Sequence, residues 1–292
     1  MQKKHLLLAV LVTAVWGLNF PITKLGLSHI DPLLLTALRF TLAALPWVFF
    51  IRRPQVAMSW IAAYGMIFGV AMWGLINFGI SLGVPPGTAA LLIQTSAFFT
   101  LGWGVLLFRE SLSRPQLLGA LLAAVGLACV LCDSPAGESR AGLLLIVLSA
   151  VAWSLGNVLI KLSRVKEVFA FVVWASLFAP LPLFLLTWLK HGAAPFVALP
   201  DQLGPGLLLS LAFQVYGATH LCYWGWNLLL REYPLSRVAP LSLLIPVFAI
   251  LGSMLLLGAW PSPAGWIASA LIFSALLVGA IRWRPLLSRQ KY

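Results

Sequence analysis

Acid is scarce in this chain, with seven Asp and Glu against nineteen Lys and Arg in 292 residues. All seven (Asp31, Glu110, Asp133, Glu138, Glu167, Asp201 and Glu232) fall in loops or at the ends of apolar runs. A buried carboxylate serving as a proton relay is thereby excluded, although proton-driven carriers commonly use one. The paired acids or metal clusters of an intramembrane hydrolase or transferase are excluded as well, so the chain is not read as an enzyme. Cysteine is limited to positions 129, 132 and 222. Cys129-Val-Leu-Cys132 has the CxxC spacing, but it lies in an apolar run with no second pair and no neighbouring His, so all three read as small core residues. No metal or cofactor is called for. Long polar stretches are also missing: the longest loop, 190–205, has about 16 residues and leaves no room for a soluble domain.

Apolar residues fill the space that charge leaves. They make up 61% of the chain, against 9% charged, and the mean hydropathy is +1.00, which places the protein in a bilayer. A hydrocarbon core of roughly 30 Å needs about 20 apolar residues per helical crossing. Ten runs qualify: 5–26, 32–51, 59–83, 86–108, 114–132, 140–162, 167–189, 204–229, 234–258 and 263–283. The fold class expected is an all-α membrane protein of ten transmembrane helices. Helix starts are marked by Asp31-Pro32, Pro86, Ser113-Arg-Pro115, Pro234 and Ser262-Pro263, a cap followed by a first-turn proline. The basic N-terminus before Leu6 resembles a signal peptide, but the run continues past Trp16 and Phe20 without a small-residue cleavage site and reads as the first span.

Placed on this topology, the formal charge of +12 records membrane insertion. Of the nineteen cations, only Arg140 and Lys190 fall in outer loops, and Lys24 and Arg39 lie within spans. The other fifteen occupy inner loops and tails, a positive-inside bias that puts both termini in the cytoplasm of a bacterial inner membrane. Expected partners are a small-molecule substrate and membrane lipid, with no nucleic acid and no obligate protein partner.

The chain also repeats itself. Trp16-Gly-Leu-Asn19-Phe-Pro-Ile-Thr-Lys24 and Trp153-Ser-Leu-Gly-Asn157-Val-Leu-Ile-Lys161 share a Trp and a Lys eight residues apart, and the copies stand 137 residues apart. Aligning 110–115 with 259–264 pairs the later spans at an offset of 149. The expected domains are two five-helix repeats, 1–135 and 138–292. Five crossings per copy invert the second, and inverted repeats are a common construction of secondary transporters, with the substrate near the midplane.

Within the spans the ionisable groups are Lys24, Arg39 and His220. Arg39 sits two turns past Asp31-Pro32, where a guanidinium needs a partner; helix-end carbonyls or a substrate anion could serve. Lys24 could snorkel to the interface or face substrate. Tyr216, His220, Tyr223 and Asn227 share a polar, aromatic helical stripe, and His220 is either a proton relay or a core histidine bonded to a carbonyl. Asn19, Asn77, Gln94 and Asn157 are mid-span amides that either hold helices together or line a cavity. Trp16 and Trp153 lie mid-span, too deep for an interfacial belt. These residues form the expected substrate-binding set. Pro21, Pro46, Pro180, Pro182, Pro240 and Pro246 suggest a cavity or bending points. Gly65-x-x-x-Gly69 and Gly79-x-x-x-Gly83 suggest close packing within the chain.

Val15-Trp-Gly-Leu-Asn19-Phe, Leu38-Arg39-Phe40, Gln94-Thr-Ser-Ala97-Phe-Phe99, Phe108-Arg-Glu110-Ser-Leu and Arg237-Val-Ala-Pro240-Leu-Ser-Leu-Leu-Ile-Pro246-Val together resemble the EamA family of the drug/metabolite transporter superfamily. Gln94 with Ala97-Phe-Phe, and the run around Pro240, resemble its O-acetylserine/cysteine exporter branch. The resemblance implies ten spans in two inverted repeats and alternating-access export of small amino-acid-like metabolites. Aromatic amino acids, drug-like compounds and lipid-linked ligands are the alternatives. The second repeat departs from the family pattern, with Ala259 opposite Glu110. Lacking a buried acid, the chain reads as a facilitator or weakly coupled carrier.

Overall fold

A computed structural model describes residues 1–109, 113–132, 139–233, 241–242 and 244–280. Glu110, the linker 133–138, Pro240 with the rest of 234–240, and the tail 281–292 lie outside the described residues. Among the described residues the fold is helical without strands. The helices are α1 (Lys3–Leu27), α2 (Pro32–Phe49), α3 (Met58–Ser81), α4 (Pro86–Leu107), α5 (Arg114–Cys132) and α6 (Arg140–Ser163). They are followed by α7 (Val168–His191), α8 (Ala194–Gln202), α9 (Pro205–Leu229), α10 (Leu244–Leu257) and α11 (Pro263–Ala280). Six of them, α1 to α4, α6 and α7, are long and apolar enough to cross a bilayer. A seventh span results if α8 and α9, which meet at 100°, are taken together; α5, α10 and α11 are shorter apolar helices.

Helix starts follow local chemistry. The Asp31 carboxylate accepts from the Leu33 and Leu34 N–H groups at 2.8 and 3.2 Å, with Pro32 in the first turn. Ser113 and Gln116 cap α5 reciprocally, and Ser139 and Ser262 accept from the N–H groups of Gly142 and Gly265. One stretch differs from expectation: 190–205 is not a bare loop but holds α8. Pro195 fits its first turn, and Phe196 and Leu199 pack against the apolar cluster of Ile30, Leu34, Leu35, Leu207 and Leu211.

In a bilayer, helices associate through close backbone approach more than through burial of apolar surface. Gly65 and Gly69 of α3 lie directly on Ala175 and Ala179 of α7; an added Cβ would overlap the Ala175 carbonyl and the Ala179 methyl. Gly79 meets α6, where a Cβ would stand 2.8 Å from the Gly142 carbonyl oxygen. Gly83 instead ends α3 at φ 103°, a backbone that glycine adopts without strain. The prolines fall in different settings. Pro21 stays inside an uninterrupted α1 and packs toward Gly252 of α10, Pro46 ends the regular turns of α2, and Pro180 restarts α7 after a tight turn.

α1 is the central post. Its Gly17, Leu18 and Pro21 side meets α10, and its opposite face, carrying Trp16, Asn19, Phe20 and Thr23, turns toward α3 and α9. Both α3 and α9 widen mid-helix into nine-residue π-helical segments, Met66–Gly74 and Phe213–Leu221. Such segments are uncommon and cluster at functional sites.

Candidate functional site

Arg39 anchors the candidate site. It is 1% exposed on α2, its guanidinium carbon lies 3.9 Å from the centre of the Trp73 ring on α3, and the Phe40 ring is 5.6 Å away. Among the described residues its one hydrogen bond is long, Nη2 donating to Thr219 Oγ1 of α9 at 3.4 Å. Nε and Nη1 are buried without a partner, and no carboxylate pairs with the guanidinium among the described residues.

Neighbouring elements add further unpaired polar atoms. One turn along both helices from the Arg39–Trp73 stack, Asn77 Nδ2 donates to Thr36 Oγ1 at 2.8 Å, which leaves Asn77 Oδ1 unpaired and buried. Thr219 Oγ1 donates to the Gln214 carbonyl at 2.9 Å, and Gln214 Nε2 donates to Ser210 Oγ at 3.1 Å. Ser210 in turn donates to the Ile22 carbonyl of α1 at 2.7 Å, leaving Gln214 Oε1 unpaired. Beside Ile22, Thr23 Oγ1 and both amide atoms of Asn19 are buried without partners, as is Trp73 Nε1. Phe20 lies against Trp73 with ring centroids 6.1 Å apart. The ring of contacts closes through α1, α2, α3 and α9. It holds a cation, two indole or amide donors and three amide oxygens, none with a protein partner to neutralise or saturate it. Buried unpaired groups are expensive, which makes this cluster the candidate site.

Aromatic rings continue from Arg39 on one side. Phe40 meets Phe68, which stacks on Tyr64 at 5.2 Å and meets Tyr223 at 6.1 Å. Tyr223 lies edge-on to Trp16 at 5.6 Å, and Trp16 meets Trp226 at 5.3 Å. Trp16 itself is anchored, its Nε1 donating to the Ala218 carbonyl at 2.9 Å.

The expected site residues thus separate. Trp16, Arg39 and Asn77 belong to one chain of contacts, and Asn19, buried and unpaired, stands next to Phe20 on the α1 face that meets it. Lys24 is half-buried and donates to the Ile80 carbonyl at 3.1 Å, fastening α1 to α3. Gln94, at the break in α4, reaches the Ser242 carbonyl at 3.5 Å. In the second copy of the repeated motif, Asn157 donates to Thr100 Oγ1 at 3.2 Å, and Trp153 packs half-buried against the main core. The two copies are therefore used differently, one asparagine left unpaired and the other bonded to α4. Tyr216 is 54% exposed, 5.9 Å from the His220 ring, which donates from Nε2 to the Ala43 carbonyl at 3.0 Å. Trp73, Thr219, Thr23 and Gln214 were not anticipated as members of the site. Trp73 and Asn77 are four residues apart, a spacing that would have placed both on the face an arginine on a neighbouring helix must seek.

This arrangement defines a multi-pass helical membrane protein with an unneutralised, aromatic-lined polar site inside the bundle. The chain belongs to the EamA-like transporter family, which it matches over residues 3–132 and again over 140–280. It is 36% identical over 290 residues to a protein of Salmonella typhimurium named a probable amino-acid metabolite efflux pump, covering 97% of each chain. The Escherichia coli protein of the same name is 35% identical over 292 residues, covering 97% of this chain and 98% of that one. A solved crystal structure with 23% identity superposes with a TM-score of 0.65 over 99% of this chain and 100% of its own, a likeness of fold.

Proposed function

We propose that this protein is an inner-membrane exporter of small amino-acid-like metabolites of the cysteine and O-acetylserine class, working by alternating access. The observation that carries this reading is Arg39, a buried guanidinium with Nε and Nη1 free and an aromatic ring beneath it. A substrate carboxylate supplies the missing acceptor, and Trp73 Nε1 adds a donor to the same group. The substrate ammonium is received by the free oxygens of Asn19, Asn77 and Gln214 and by the Trp73 and Phe20 faces. A zwitterion thereby offers a partner to both sets at once, its carboxylate offsetting the Arg39 charge while its ammonium is held by the amide oxygens and ring faces. That explains how a membrane pocket tolerates an arginine without an acid, and it favours a facilitator or weakly coupled carrier. The relatives' names support amino-acid metabolites as the substrate class.

The chain is read as ten crossings in two inverted repeats, 1–135 and 138–292, with both termini cytoplasmic. Three observations support this. The family match falls into two segments. The π-helical segments of α3 and α9 begin 147 residues apart, close to the offset of 149 that aligns the later spans. The helix packing also pairs as a two-fold axis requires: α1 with α10 mirrors α6 with α4, α9 with α1 mirrors α3 with α6, and α5 packs on α11.

The test is counterflow of labelled L-cysteine and O-acetyl-L-serine into proteoliposomes, comparing wild type with Arg39→Gln and Arg39→Lys. Wild type exchanges, Arg39→Gln does not, and Arg39→Lys retains a small fraction because lysine offers one point donor in place of a fork. Equal exchange by wild type and Arg39→Gln removes the carboxylate role.

A further inference from the structure

A second unpaired group lies on the same segment of α9. His220 is 8% exposed, and since the Ala43 carbonyl only accepts, Nε2 carries the hydrogen of the neutral ring. Nδ1 is then a bare lone pair, buried and without a partner. Three rings from three helices surround it: Trp47 of α2 at 4.9 Å, Tyr216 of α9 at 5.9 Å and Phe169 of α7 at 6.2 Å. Aromatic faces stabilise a cation among them, and Phe169, in the first turn of α7 beside the exposed Lys166 and Glu167, brings this cage toward the end of the bundle, where a proton can reach it from water.

The cage is tied to the Arg39 site. Arg39 and Ala43 stand one turn apart on α2, and consecutive α9 residues, Thr219 and His220, hold them. The charged and titratable groups facing this segment are Arg39 from α2, Tyr216 and Tyr223 from α9, and Lys166 and Glu167, both exposed, at the start of α7 beside Phe169. α1 faces it with Val15 and Trp16. An imidazolium here therefore feels chiefly a second cation, Arg39, whose charge only a bound anion cancels.

We infer that His220 is a proton-binding site of the transport cycle, and that a proton on its Nδ1 and a carboxylate at Arg39 favour one another. The proton passes from water to the Nδ1 lone pair, the Nε2 bond to Ala43 is kept, and the ring gains one positive charge. Repulsion between the two cations disfavours the protonated ring while Arg39 is empty and relaxes once a carboxylate binds. By reciprocity, the ligand raises proton occupancy by the same factor that the proton raises ligand affinity, a factor of about five for two partly screened unit charges in neighbouring positions. The substrate-linked half of this inference rests on the function proposed above; the proton site does not.

The experiment uses 15N-histidine-labelled protein in lipid bilayers, where His220→Gln identifies the His220 signal among those of His5, His29 and His191. Glutamine keeps a donor for the Ala43 carbonyl. Between pH 8 and pH 5 without ligand, the wild-type His220 signal changes from the Nε2–H tautomer to the doubly protonated ring. At fixed pH, sodium acetate, a carboxylate that brings no ammonium into the site, raises its protonated-to-neutral ratio about fivefold, and Arg39→Gln abolishes that rise. A ring that stays neutral at pH 5 overturns the proton site, and a rise that persists in Arg39→Gln overturns the coupling. Counterflow in the same vesicles separates the two readings. If L-cysteine is not carried, the substrate reading falls while the acetate response still tests the coupling; no response to acetate overturns the coupling.

Discussion

Arg39→Met should leave the stability of the empty protein close to that of wild type while it stops transport. Two opposing effects set the size. In wild type, Nε and Nη1 are buried without partners, and exchanging an uncompensated buried charge for an apolar side chain of similar length favours the folded state by about 1–4 kcal/mol. Losing the guanidinium from the Trp73 face, 3.9 Å away, offsets about 2 kcal/mol of that. The long bond to Thr219 adds about 1 kcal/mol or less on the same side. The balance runs from about 2 kcal/mol against the variant to about 2 kcal/mol in its favour, centred near neutral, or a shift of a few degrees either way at about 2–4 °C per kcal/mol. Detergent-solubilised protein heated in steps and scored by the fraction that stays monodisperse gives the comparison, at one heating rate because membrane proteins unfold irreversibly. L-Cysteine should raise the midpoint of wild type and leave Arg39→Met unmoved. A fall of more than about 8 °C in the empty variant would mean that Arg39 holds the bundle together, contrary to an account in which it waits for an anion.

Further substitutions follow from the packing and from the asymmetry of the repeat. Gly65→Leu drives a side chain into the Ala175 carbonyl and should abolish monodisperse expression, while Gly192→Ala, at an open position whose φ of 64° suits glycine, should fold at a cost of about 1–3 kcal/mol on the same scale. Asn19→Val should lower counterflow at least tenfold, whereas Asn157→Val, losing its bond to Thr100, should retain transport and lose about 1 kcal/mol of stability. Thr219→Val removes the one hydrogen bond to Arg39 among the described residues and should weaken substrate affinity several-fold with little effect on folding, read as KM in counterflow. Asp31→Ala, which removes the cap of α2 and the 3.1 Å contact with His191, should destabilise by about 1 kcal/mol with transport intact.

Much of the architecture was legible because membrane insertion writes itself in long apolar runs and capped starts. Asp31-Pro32, Ser113 and Ser262 fall where helices begin, and Arg39, two turns past such a start, is as deep as its position implies. The helix α8 was missed because its sequence, Ala-Pro-Phe-Val-Ala-Leu-Pro-Asp-Gln, is too short for a span and carries two prolines; packing on α2 and α9, not periodicity, makes it helical. The repeated Trp and Asn suggested equal roles, yet Asn19 is left unpaired and Asn157 is satisfied by Thr100, a difference set by which helix each meets. The stripe of Tyr216, His220, Tyr223 and Asn227 assumed 3.6 residues per turn. The π-helical widening over Phe213–Leu221 changes that angle, so Tyr216 faces outward while Thr219 turns to Arg39. Trp73 escaped notice because nothing in a lone sequence says which of thirteen tryptophans lies over the buried arginine.

The most direct test of the central claim, that Arg39 reads a substrate carboxylate, is competition of L-cysteine counterflow by cysteamine, which keeps the thiol and ammonium and lacks the carboxylate. Cysteamine should compete with wild type at least a hundredfold more weakly than L-cysteine, the loss expected for one buried charge-assisted pair at about 1.4 kcal/mol per factor of ten. Competition by cysteamine as strong as that of L-cysteine would contradict the account.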